Sequence, residues 1–111
     1  MEKKLGKIIE ASFGLGGYQG SGIGLYLTFE CNSWGVGFSK TYHNPMQIKH
    51  TENCQWTEKD RSKSFDELVR YISKILDEAK VTDVSKLVGT PVEVEFDGNL
   101  LKDWRILTEV I

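Results

Sequence analysis

The sequence predicts an α+β domain, with elements in the order βββ-α-α-ββ and both helices, one long and one short, on one face of an antiparallel sheet. Three observations predict it. In SFDELVRYISKILDEAK, residues 64–80, Phe65, Leu68, Val69, Ile72, Ile75, Leu76 and Ala79 recur at three- and four-residue steps and share one helix face. Glu67, Arg70, Ser73, Lys74, Asp77 and Glu78 fall opposite. IGLYLTFE (23–30) and VEVEF (92–96) alternate with the period of two that a half-buried strand requires. Asp97-Gly98-Asn99, placed directly after VEVEF, is a hairpin signal, because such turns need residues that tolerate positive φ.

The first strand is expected over residues 3–13 (KKLGKIIEASF), with Ile9, Ala11 and Phe13 on one face. GLGGYQGSGIG (14–24) then carries glycine at 14, 16, 17, 20, 22 and 24 and reads as a long hairpin loop. In the second strand Ile23, Leu25, Leu27 and Phe29 share one face, and Tyr26 and Thr28 the other. Asn32-Ser33 marks a turn into a third strand, 34–39, weakened by Gly35 and Gly37, which completes a three-stranded meander. Residues 40–56 are polar, contain Pro45 and show no period, so they read as loop. The long helix is placed over 57–80: Ser64 and Glu67 match a capping box, but nothing in EKDRSK interrupts a helix begun at Thr57. Thr82 or Asp83 caps a short helix, VSKLV, that Gly89 ends. The final strand is expected over 100–111.

With 111 residues the chain reads as a single domain, 1–111, with one core. A net charge of −2 argues against duplex nucleic acid as partner, since a phosphate backbone demands a basic face. Nothing in the sequence is long and apolar enough to span a membrane, and MEKKLGKIIE lacks a signal-peptide core, so a cytoplasmic location is expected, with Cys31 and Cys54 as reduced thiols.

Catalytic chemistry finds little support. The glycine-rich stretch lies between two strands, whereas phosphate loops deliver the phosphate to a helix N-terminus. A backbone nest for an anion is the sharper alternative to a plain connector there, with Tyr18 as a stacking face and Gln19 as an amide. Cys31, His43, His50 and Cys54 are zinc-type ligands, but no two have zinc-finger spacing, and neither cysteine shows an activating environment. We therefore expect no metal, no cofactor and no enzyme. Trp104 and Arg105 must point to opposite faces of their strand. If Trp104 joins the core, Arg105 is displayed outward, either to a phosphate together with Arg61 or to Glu93 or Glu95 across the hairpin.

GKIIEASFGLGGYQG (6–20), SWGVGF (33–38), WTEKDR (56–61), AKV (79–81) through GTPVEVEFDGN (89–99), and DWRILTEVI (103–111) together resemble small phage and prophage proteins. The pattern is similar to the Thoeris anti-defence one family and covers nearly the whole chain. The resemblance implies a non-enzymatic protein that binds and sequesters cyclic ADP-ribose isomers in the host cytoplasm, and in some members cyclic oligonucleotides at a separate site. It also implies a homo-oligomer, a dimer or a trimer of dimers, with pockets at subunit interfaces. Arg61, Asn99 and Arg105 best suit the phosphate and ribose roles, and Gly37 and Thr90 the second site. The alternative is a phage protein that inhibits a host nuclease or CRISPR complex by direct contact.

Assembly is also expected from the chain end. In a strand running to Ile111, Leu107 and Ile111 would face one side while Trp104, Ile106 and Val110 face the other. Apolar groups on both faces of such a strand call for a covering partner.

Overall fold

The computed structural model describes residues 2–17, 20–43 and 58–111, excepting the side chains of His43, Glu58 and Arg61. Five strands form one antiparallel sheet: β1 (Glu2–Gly16), β2 (Gly22–Cys31), β3 (Trp34–His43), β4 (Pro91–Asp97) and β5 (Leu100–Ile106). Their order is β3-β2-β1-β4-β5, so β3 and β5 are the two edges. One long helix, α1 (Glu58–Ala79), and two single 3-10 turns, Val84–Leu87 and Thr108–Val110, complete the described chain. The fold is α+β, and the meander and terminal hairpin fall where the alternation placed them.

The sheet is strongly curled. Phe29 on β2 and Trp104 on β5 are separated by β1 and β4, which in a flat sheet amounts to about 14 Å. Their ring centroids are nevertheless 4.9 Å apart. Trp34 on β3 meets Phe96 on β4 in the same way, at 5.2 Å. The two edges thus bend toward each other around a shared core of Ile8, Leu25, Leu27, Phe29, Val92, Val94, Phe96 and Ile106. From α1, Ile75 and Ala79 join that core, and Leu87 enters it from the 84–87 turn. Helix α1 contacts both sheet edges, β3 and β5.

Two β-bulges set which side chains face inward. Ile9 is the extra residue between the Ile8↔Phe29 and Glu10↔Thr28 pairs. The inward parity therefore switches from Lys4, Gly6 and Ile8 to Ala11 and Phe13, and Ile8, not Ile9, is fully buried. The second bulge, at Lys102, lies between Glu95↔Asp103 and Phe96↔Leu101. Without it, Leu101 and Trp104, three residues apart, would point to opposite faces; with it, both pack against the core.

Several expectations are corrected. The helix apolar stripe is narrower than its spacing suggests: Val69 is 61% exposed, while Leu68, Ile75 and Ala79 are buried and Tyr71 packs against the core. The sheet covers one stripe, and Val69 lies about 100° round the helix from Leu68. Residues 40–43, expected as loop, continue β3, because Lys40 to His43 pair with Leu25 to Gly22. The rest of that expected loop lies outside the described residues. Gly14, Gly16, Gly22 and Gly24 belong to paired strands rather than to a loop, and only residues 17–21 separate β1 from β2. A Cβ on Gly24 would come 2.2 Å from the Lys40 carbonyl oxygen, so the curl there requires glycine. The short second helix is a single 3-10 turn, capped by Asp83 and followed by Gly89 at φ +93°. The last strand stops at Ile106, since the next position of its partner is Pro91, the first residue of β4, which has no backbone N–H to donate. Leu107 donates to the Pro91 carbonyl and the chain turns away, which removes the two-faced strand argued for residues 107–111.

Candidate functional site

The curled sheet leaves a cleft where its edges approach each other beside α1. Phe38 of β3, Tyr71 of α1 and Trp104 of β5 form its aromatic wall, and Lys40, Lys102 and Asp103 stand at its rim around a space of about 330 Å³. That is the lower end of the range of small-molecule pockets. Trp104 meets Phe38 edge-on at 5.6 Å, and Phe38 lies 6.2 Å from Tyr71. The Trp104 side chain hydrogen-bonds to Tyr71, and an indole N–H can only donate. Burial pushes the Tyr71 hydroxyl up to about 12, an effect the Trp104 bond partly offsets and the carboxylates of Asp103 and Glu78 reinforce. Tyr71 is therefore a neutral hydroxyl at ordinary pH, not a base.

Both lysines reach this cleft for readable reasons. Lys40 pairs with Leu25 and so shares the inward side of β3 with Phe38, and its Nζ lies 5.1 Å from the centre of the Tyr71 ring. Lys102 occupies the β5 bulge, and a bulge is the usual means of re-aiming one side chain of an edge strand. Asp103 Oδ1 accepts the Trp104 backbone N–H at 2.8 Å, which fixes the rim next to the indole.

Two larger concavities have different chemistry. A groove of about 500 Å³ between β1, α1 and the 84–87 turn is lined by Ala11, Phe13, Val69, Ile72, Val84 and several serines, and Asp83 is its single charged group. Asp83 is held below the usual carboxylate range by the Ser85 hydroxyl and backbone N–H, so the charge this groove presents is negative. On the opposite face of β2, Tyr26 with Ser21, Ser39, Thr41 and Tyr42 lines an uncharged space of about 490 Å³. The 330 Å³ cleft alone among these three combines aromatic faces with cations.

Of the residues singled out in the sequence, Trp104 alone lines this cleft. Arg105 does point away from Trp104, as strand alternation requires, but its guanidinium is engaged. Its Nε donates to Glu93 at 3.1 Å, and its two terminal nitrogens donate to the Glu109 oxygens at 3.1 and 3.2 Å. Asn99 is exposed in the β4–β5 turn. It lies about 20 Å along β5 from Arg105, so the two do not form one site. Gly37 is exposed on edge strand β3. Thr90 is buried, with its backbone bonded to Leu87 and Ile8, and β1 and β2 separate it from Gly37. Tyr18 and Gln19, the Arg61 side chain, and His50 and Cys54 of the zinc-type set lie outside the described residues.

Sequence reasoning missed Phe38, Lys40, Tyr71 and Lys102. Tyr71 was hidden because it lies beside the helical stripe rather than in it, and Lys40 because it was assigned to loop. Cys31 is buried, and burial raises its thiol, so it is a core residue without nucleophilic character. No group of three or more potential metal ligands occurs among the described residues. No described helix is long and apolar enough to cross a membrane. No protein-family model, curated protein or solved structure matches the chain.

Proposed function

We propose that the protein is a binding module rather than an enzyme: a phage-encoded anti-defence protein that sequesters a cyclic ADP-ribose isomer, or a related cyclic nucleotide signal, without degrading it. One observation carries this reading. The cleft at the two sheet edges is lined by three aromatic side chains and by two lysines, the residue types that suit a base with an attached phosphate. The sequence resemblance supplies the ligand class, and the neutral Tyr71 and buried Cys31 supply no base or nucleophile to cleave it. Base stacking on an aromatic is worth about 1–3 kcal/mol, and charge-assisted hydrogen bonds add to it.

The reading includes a homo-oligomer. With the last strand ending at Ile106, its support moves to Val110 and Ile111, which remain 66% and 41% exposed. Equilibration with a cyclic ADP-ribose isomer, heat denaturation and mass spectrometry of the supernatant tests sequestration. Intact ligand released in stoichiometric amount is expected. Cleaved ligand would establish an enzyme, and absence of binding at micromolar protein would remove the ligand class. Light scattering tests assembly, with a mass of one subunit counting against it.

A further inference from the structure

We propose that the outer face of the β1–β2–β3 meander carries a second ligand site, separate from the cleft, which takes a neutral sugar ring stacked on Tyr26. This assignment goes beyond the sequestration reading and does not depend on it.

Strand parity places the groups. Leu25 and Leu27 are buried in the core, so Tyr26 between them projects from the opposite side of β2. Its cross-strand neighbours there are Ser12 on β1 and Ser39 on β3, and two residues along the same face Gly24 lies between Gly14 and Thr41. Tyr26, Ser39 and Thr41 border, with Ser21 and Gly22, a concavity of about 490 Å³, within the range of small-molecule pockets. Among the described residues, no charged group lines it.

Gly16 shows how the Tyr26 ring lies. Its φ is outside the left-handed region, so the backbone does not demand glycine there. The ring does: a Cβ on Gly16 would stand 2.5 Å from both Cζ and Oη of Tyr26. Tyr26 therefore reclines along the sheet over Gly16, in the space a side chain would occupy. A Cβ on Gly22 would meet the Tyr26 hydroxyl at 3.4 Å and Thr41 Cβ at 3.6 Å, so both hydroxyl-bearing side chains converge around that residue. A ring laid on bare backbone is ordered before any ligand arrives, which lowers the entropy cost of binding.

The hydroxyls decide the ligand class. On the same face Thr28 donates to Glu10 at 3.3 Å, and Tyr42 at the border donates to Glu67 at 3.4 Å. Among the described residues, the hydroxyls of Ser21, Tyr26, Ser39 and Thr41 have no such partner. Each can donate and accept, the capacity that a ligand hydroxyl returns. An ionic ligand would find no countercharge on these side chains, and a purely apolar one would strip their water without replacing its bonds. A sugar ring combines C–H groups, which pack on the negative face of an aromatic, with hydroxyls around its edge. The reclining ring and the hydroxyls beside it match both parts.

The test titrates the isotope-labelled full-length protein with the methyl glycosides of glucose, galactose, mannose and ribose, followed by NMR. At least one is expected to saturate with a dissociation constant of about 1 mM, ordinary for so small a ligand, and to shift the amide signals of Gly22, Tyr26, Ser39 and Thr41. Tyr26→Ala is expected to weaken that glycoside about tenfold or more, and Ser39→Ala with Thr41→Val about fivefold. Gly16→Ala displaces the ring while leaving every hydroxyl in the chain, and should also cost about fivefold. Ser62→Ala, which removes an exposed hydroxyl on the first turns of α1, should change the affinity less than about twofold. Cyclohexanol, a ring with a single hydroxyl, should bind about tenfold more weakly than the glycoside. Thermal unfolding of each variant separates a folding defect from a binding defect. Failure of every glycoside to saturate by about 50 mM would overturn the assignment. So would unchanged affinity in Tyr26→Ala, an equal loss in Ser62→Ala, or cyclohexanol binding as tightly as the sugar.

Discussion

Phe29 and Trp104 touch at 4.9 Å between ring centroids although two strands lie between theirs in the sheet. The contact closes the curl that brings the β3 and β5 edges together, so it sits upstream of the whole cleft. Phe29 is fully buried, and Phe29→Ala is expected to cost about 3–5 kcal/mol in urea unfolding. In a double-mutant cycle with Trp104→Leu the pair should couple by about 0.5–1.5 kcal/mol. Strict additivity would mean that the aromatic contact does not hold the curl.

The elements were legible in the sequence because alternation and helical period are local. Phe29 and Leu27 were assigned to the correct buried face, and α1 starts and ends within a residue of its expected bounds. The cleft was not legible, because it depends on curvature. Nothing near Lys40 or Lys102 in the chain reveals that β3 and β5 meet. A bulge is equally hard to read: KKLGKIIE offers both Ile8 and Ile9 to the core, and only the pairing register decides for Ile8. Arg105 shows a third limit. Its direction followed from parity, but its engagement by Glu109 required the chain to turn after Ile106, which Pro91 at the start of the partner strand decides.

Gly24 and Gly37 should respond oppositely to the same change. A Cβ at Gly24 would meet the Lys40 carbonyl oxygen at 2.2 Å and Thr41 Cα at 2.7 Å, both backbone atoms that cannot swing aside. Gly24→Ala is expected to destabilise by about 1–3 kcal/mol or more. At Gly37 the nearest atom is 3.9 Å away, and φ is not in the left-handed region, so Gly37→Ala should be neutral or stabilising by up to about 1 kcal/mol. Denaturant midpoints of the two variants check this, and equal loss at both positions would contradict the curl at Gly24.

Arg105 and Glu109 set an acid limit on the C-terminal turn. Hydrogen bonds from Arg105 hold the Glu109 carboxyl below the usual glutamate range. A depressed folded value means that the contribution is present above the unfolded value and is lost as pH falls through the folded one. Stability should therefore decline on acidification below the ordinary glutamate range. Glu109→Gln should lower stability at neutral pH and flatten that decline, in unfolding curves recorded from neutral to acid pH. Because both groups are exposed, added salt should shrink the difference between variant and wild type.

Tyr71 sets the alkaline limit. Its hydroxyl is raised from 10.0 to about 12, chiefly by burial, while the Trp104 N–H favours the phenolate and Asp103 and Glu78 oppose it. Lys40 faces the same ring, its Nζ 5.1 Å from the centroid. For an acid raised on folding, the unfolded chain loses its proton first. The stabilisation is complete below the ordinary tyrosine value of about 10 and fades as pH rises toward the folded one. Wild-type stability should therefore fall between about pH 10 and 12, whereas Tyr71→Phe, having no proton to lose there, should fall less steeply. The difference between the two curves reports the Tyr71 hydroxyl. Identical alkaline slopes would mean that Tyr71 titrates as it does in the unfolded chain, and the aromatic wall would then be open to water rather than packed.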